Sequence, residues 1–86
     1  MNKFFVYLLL SNKDKKTYLG STDNLERRII EHNNGKTPST RNRRPLELIY
    51  KEDFDTLVEA RDREKYLKTR KGRKELKDIF NRLKIK

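Results

Sequence analysis

The sequence predicts an α+β fold: a small three-stranded antiparallel sheet flanked by helices, in the order β-β-α-β-α-α. Two observations carry that prediction. Only 33% of the 86 residues are hydrophobic and 42% are charged, yet the apolar residues fall in blocks at 4–10, 25–30, 46–50, 57–67 and 76–85. A disordered chain would scatter them. The blocks also differ in period: two read as strands, and the other three place apolar residues at helical spacing. No polar stretch between them is long enough to divide the chain, so residues 1–86 read as one small domain.

Residues 4–10 form a continuous run of Phe4, Phe5, Val6, Tyr7 and three leucines, as expected of a central strand covered on both faces. Residues 11–16 are polar and turn-forming. Thr17, Tyr18, Leu19 and Gly20 then make a second short strand, joined to the first by a hairpin loop longer than two residues. Helix one is expected to begin near Asp23, with Glu26 three residues on in a capping-box-like pair. Leu25, Ile29 and Ile30 would supply its buried stripe. Gly35 would stop it by adopting the left-handed conformation. A basic loop, 36–44, leads through Pro45 to a third strand at 46–51. There Leu46, Leu48 and Tyr50 alternate with Glu47, Ile49 and Lys51, which predicts one more deeply buried face. Thr56 and Glu59 form a capping box that opens a second helix, running to about Thr69. Residues 70–74 read as a basic break, and residues 75–85 as a third helix with Leu76, Ile79, Phe80 and Leu83 on one side.

Charge narrows the function. With 23 basic and 13 acidic residues the net charge is +10, which favours polyanions: nucleic acid first, an anionic membrane surface second. No apolar run approaches the roughly 20 residues of a membrane span. The N-terminus shows no signal-peptide pattern. The absence of cysteine excludes disulfides and thiolate metal sites. A cytoplasmic location is the expectation.

Residues three, four and seven apart share a helix face. In helix one that places His32, the only histidine, with Leu25 and Ile29, and Arg28 at their border. In helix two it places Glu64 on the stripe of Leu57, Ala60 and Leu67. A carboxylate on an apolar stripe needs a partner; a metal ion, Arg28 or both could provide it. Each of these residues alone has an ordinary structural reading as a packed histidine, an ion pair or a strand aromatic. Their shared inward placement in so basic a chain favours a site.

Those residues resemble the GIY-YIG nuclease superfamily, specifically its small stand-alone members. Phe5-Val6-Tyr7 stands where the first motif has Gly-Ile-Tyr, and Tyr18-Leu19-Gly20 matches the second. Asn24, Leu25, Glu26, Arg27 and Arg28, with His32 and Gly35 beyond, fit the helix that follows. Arg28 lies eight residues after Gly20, at the position of the catalytic arginine, with Arg27 as second choice. Glu64 matches the metal-binding glutamate. The first motif lacks its glycine, and Asn81 is a weak match to a late asparagine seen in some relatives.

The resemblance implies a metal-dependent endonuclease that hydrolyses DNA phosphodiester bonds. Glu64 would hold a divalent ion, magnesium or alternatively manganese, and Arg28 would bind the scissile phosphate. Tyr7 would activate the attacking water, and Tyr18 would line the site. His32 would hydrogen-bond a tyrosine hydroxyl or take part in proton transfer, and Gly20 would allow close backbone approach. Lys36, Arg41, Arg43, Arg44, Lys68, Arg70, Lys71 and Arg73 would hold the flanking backbone of branched or duplex DNA. Such contacts favour structure over sequence selectivity, as in DNA repair or recombination. The alternatives are a non-catalytic nucleic-acid-binding module and a small interaction protein. The sequence shows no clear mark of a protein partner or homodimer.

Overall fold

A computed structural model of the chain describes residues 3–83. Its elements are β1 (Phe4–Ser11), β2 (Thr17–Thr22), α1 (Leu25–Asn33), β3 (Leu46–Phe54), α2 (Leu57–Leu67) and α3 (Arg70–Leu83), with one 3₁₀ turn at Arg41–Arg43. The predicted order and fold class hold. The sheet runs β2-β1-β3 with both pairs antiparallel, so the most apolar strand is the central one.

Side chains alternate across β1, and each face builds its own core. Val6, buried with Ala60 and Leu67 of α2, is packed by Phe4, Leu19, Phe54 and Leu76. On the opposite face Tyr7, Leu9 and Leu46 pack with Tyr18, Leu48 and the α1 residues Leu25 and Ile29. One layer is thus α1, and the other is α2 with α3.

The strand β3 departs from simple alternation. Tyr50 lies opposite Leu8 but Leu48 lies opposite Leu9, so Ile49 is an extra residue and the register shifts there. This bulge reverses which residues face which layer. Leu46 and Leu48 enter the α1 core, whereas Tyr50 pairs with Leu8 on the other face instead of joining them. The strand also continues past Lys51 to Phe54.

The helices correct three expectations. Asn24, not Asp23, caps α1: its side chain accepts from the Arg27 backbone N–H at 3.0 Å. Ile30 is 54% exposed and lies outside the buried stripe. The stop is as expected. Gly35 has φ of +78°, and the N–H groups of Gly35 and Lys36 donate back to the carbonyls of His32 and Glu31. Thr56 and Glu59 do form the capping box of α2. Residues 70–74 are the first turns of α3 rather than a break, because Thr69 Oγ1 accepts from the Gly72 N–H and the real corner is only Lys68 and Thr69. Gly72 is needed there for packing. A Cβ at that position would lie 2.0 Å from the Tyr66 carbonyl oxygen and 2.4 Å from Leu67 Cα. Ile85, the expected end of the third helix, lies outside the described residues.

One polar cluster ties β3 to both helices of its layer. Arg63 on α2 donates to the two Glu52 oxygens at 2.8 and 3.0 Å, and also to Glu75 on α3. Tyr50 donates to Glu52 at 2.6 Å. Burial, and then this hydrogen bond, push the Tyr50 hydroxyl up to about 12.

Candidate active site

Tyr7 sits at the middle of the central strand and faces α1. Its cross-strand neighbour is Gly20. A Cβ at Gly20 would lie 2.4 Å from the Tyr7 hydroxyl oxygen and 2.6 Å from Cζ, so the glycine makes room for the tyrosine ring. This gives Gly20 a more specific job than the close backbone approach expected from sequence. The Tyr7 hydroxyl lies 3.0 Å from His32 Nε2, and His32 Nδ1 lies 2.8 Å from Thr40 Oγ1. Tyr7, His32 and Thr40 are all buried. Tyr18, two residues along β2 from Gly20, meets the His32 ring edge-on at 5.1 Å between centroids.

The hydrogen bonds give this chain a direction. Thr40 directs its hydroxyl hydrogen to the Thr37 carbonyl at 3.5 Å. That leaves Thr40 Oγ1 to accept from His32 Nδ1–H, and leaves His32 Nε2 to accept from Tyr7 O–H. The ionisation shifts agree. Burial pushes the Tyr7 hydroxyl up, the Arg28 guanidinium pulls it down by less, and Tyr18 and Glu64 push it up further. Burial, and next the charge of Arg28, push His32 down. In the resting state the proton therefore sits on Tyr7 and His32 is neutral.

Of the two arginines, Arg28 is the one beside Tyr7, as the helical projection predicts. It is paired to Glu31 at 3.0 Å. Arg27 is turned outward toward Asp23 at 3.2 Å and Glu31 at 3.6 Å. Both line a cleft of about 370 Å³ between the start of α1 and the start of α2, where they meet Arg61, Ser21 and Thr22. Glu64 comes to this region from the other layer. Its Oε1 accepts from Ser21 Oγ at 2.5 Å, and its Oε2 pairs with Lys68 at 2.9 Å. Ser21 and Gly20 point to opposite faces of the edge strand β2. The site therefore straddles the sheet edge: Tyr7, Tyr18, Arg28 and His32 lie on the α1 side, and Glu64 on the α2 side.

Among the described residues no group of three or more His, Asp or Glu side chains could hold a metal ion. Glu64 offers a single carboxylate beside the Ser21 hydroxyl. A single carboxylate can hold a divalent ion whose remaining ligands are water and phosphate oxygens.

The basic residues picked from sequence fall into two groups. Lys36, Arg41 and Arg44 are exposed around the loop between α1 and β3, and Lys68, Arg70, Lys71 and Arg73 are exposed around the α2–α3 corner. Arg43 is committed within the fold: it pairs with Asp14 at 2.9 Å and donates to the Thr17 carbonyl. The Lys16 backbone N–H and then Arg43 hold the Asp14 carboxyl at about 2. Asn81 is exposed on α3. Sequence reasoning missed Ser21, Glu31, Thr40 and Arg61. Only Arg61 and Glu31 carried a signal, since each lies one turn from a chosen residue.

Residues 3–77 match the GIY-YIG catalytic domain, and the chain belongs to that family, an endonuclease superfamily. Its relatives include small UPF0213 proteins. It is 44% identical to one from Staphylococcus saprophyticus over 80 residues, covering 92% of this chain and 96% of that protein. It is 45% identical to the UPF0213 protein YazA of Bacillus subtilis over 78 residues, covering 87% of this chain and 77% of that one. The solution NMR structure of a UPF0213 protein from Bacillus halodurans superposes with a TM-score of 0.53 at 32% identity, covering 90% of this chain and 84% of the other. Among the described residues no helix is long and apolar enough to cross a membrane.

Proposed function

We propose that the chain is a metal-dependent endonuclease that hydrolyses DNA phosphodiester bonds and selects substrate by structure rather than sequence. The carrying observation is the buried Tyr7–His32–Thr40 chain, whose tyrosine lies beside Arg28, a residue that itself lines the arginine-rich cleft. In this reading Arg28 exchanges Glu31 for the scissile phosphate, whose oxygens match its planar donors. Tyr7 takes a proton from the attacking water as it passes its own to His32 Nε2. A phenol whose own pKa is raised is a poor base, but one with a neutral imidazole 3.0 Å away has somewhere to send its proton. Tyr18 packs the imidazole in place. Glu64 would hold the divalent ion, with Ser21 orienting the carboxylate; the family generally uses such an ion, and magnesium fits best. The bound ion would stabilise the charge developing on the phosphate and leaving oxygen.

The test is cleavage of branched and duplex DNA in magnesium by the wild type, Glu64→Gln and Arg28→Ala. Each substitution is expected to lower the rate about a hundredfold or more, the scale of losing one charge-stabilising group. Equal cutting by Glu64→Gln, or no cutting of any substrate by the wild type, refutes the reading. One observation favours the non-catalytic alternative: Tyr7 is only 1% exposed. If that alternative holds, DNA binding persists without cleavage and Tyr7→Phe changes nothing.

A further inference from the structure

We propose that a basic groove along the outer edge of β2 binds an unpaired nucleic-acid strand next to the cleavage site. The groove, of about 550 Å³, lies between the Thr17 end of β2, the last turn of α2 and the inner side of α3. Lys15, Lys16, Lys68, Arg73 and Lys77 line it, and no carboxylate does among the described residues. Its floor is apolar, formed by Leu8, Leu19, Leu76 and the aromatic ring of Phe80. A cationic rim alone would suit any polyanion. An apolar floor carrying an aromatic ring suits a strand whose bases are free to leave the stack, because each base has a face to lay against it. A duplex presents phosphates and keeps its bases stacked inside.

The groove is linked to the candidate active site through one residue. Lys68 lines it and pairs with Glu64, one turn back on α2. Ser21, which holds Glu64, is four residues along β2 from Thr17, about 13 Å of strand. A strand that followed β2 from Ser21 toward Thr17 would reach the groove. The turn that carries Lys15 and Lys16 is itself built. Ser11 Oγ accepts from the N–H groups of Lys13 and Asp14 and donates to the Arg43 carbonyl at 2.6 Å. Lys15 has φ of +62°, where glycine or asparagine sits with less strain. A lysine held in that conformation on the groove rim is consistent with a ligand-facing role.

The proposal rests on the nuclease reading for its place beside the cut, but its test is binding alone. A short fluorescein-labelled oligo-thymidine and a blunt duplex of equal length are titrated in EDTA against the wild type, Lys15→Asn/Lys16→Gln/Lys77→Gln and Phe80→Leu. Vesicles of anionic phospholipid serve as a third probe. The triple variant is expected to bind the single strand about tenfold or more weakly and to lower its salt slope by about 2, near 0.7 for each cation removed. Phe80→Leu keeps the apolar volume and should weaken the single strand about fivefold or more. Duplex affinity should change less in both. Lys15→Asn alone should melt no lower than the wild type, which separates lost binding from lost folding. Unchanged single-strand affinity, equal losses for both DNA forms, or vesicle binding in place of single-strand binding would each overturn the proposal. Cleavage in magnesium is read separately. Groove-dependent binding by a protein that cuts nothing keeps the groove and sinks the nuclease reading; cutting with unchanged single-strand binding does the reverse.

Discussion

His32 is the only histidine in the chain, so the proton arrangement at the site can be read without assignment ambiguity. Long-range nitrogen–proton spectra should show one tautomer, with Nδ1 protonated and Nε2 bare. Thr40→Val removes the acceptor at Nδ1 and should mix the tautomers, whereas Thr40→Ser should keep one. A wild-type Nε2–H tautomer would contradict the assigned direction of the chain. Because the folded pKa of His32 lies below 6.5, acid gives its proton first to the unfolded chain, so this residue lowers stability as pH falls from 6.5 through the folded value. The acid limb of any activity that needs neutral His32 should lie in that same interval. Helical projection could pick Arg28 over Arg27, because only relative direction along α1 mattered. It could not find Thr40 or Ser21. Each meets its partner through the fold, eight residues away for Thr40 and 43 for Ser21, and a lone threonine or serine carries no pattern.

At the scale of elements, Arg63 joins α2, α3 and β3 through Glu52 and Glu75. Arg63→Ala leaves a partly buried Glu52 without its main partner and should cost about 2 kcal/mol, a fall in melting temperature of about 10 °C for a domain of this size. Arg27→Ala, which breaks exposed pairs, should cost less than about 1 kcal/mol. Equal losses would remove any special role for Arg63. The hydrogen bonds from Arg63, more than any other cause, hold the Glu52 carboxyl below 4.5. Its stabilisation is present above pH 4.5 and is lost as pH falls through the folded value. Element types were legible from period and capping, as Thr56 and Glu59 show. Where elements ended was less so. Thr69 as a cap was hidden among cations that suggested a break, and the bulge at Ile49 has no mark in an alternating apolar sequence.

For the whole molecule, the net charge of +10 sets a self-repulsion that compaction must overcome. Raising salt from about 0.01 to 0.1 M shortens the screening length from about 30 to 10 Å and should raise the melting temperature. A fall would mean that attractive pairs, such as Arg43 with Asp14, outweigh the repulsion. The same salt should weaken nucleic-acid binding, so stability and affinity should move in opposite directions. Helical projection turned Arg28, His32 and Glu64 toward the core, but it could not assign the five candidate site residues to layers. That four lie on the α1 side, Arg28 and His32 on the helix itself, while Glu64 comes to β2 from the other side depends on the order β2-β1-β3, which no local pattern states. The bulge at Ile49 carries a historical consequence. Because one residue there decides which layer Leu48 and Tyr50 enter, a lineage of such proteins can exchange the exposed side chains of this strand, Glu47, Lys51 and Asp53, at little cost. It cannot gain or lose a residue there without turning the strand inside out. Selection should therefore hold the length of that segment more tightly than its letters.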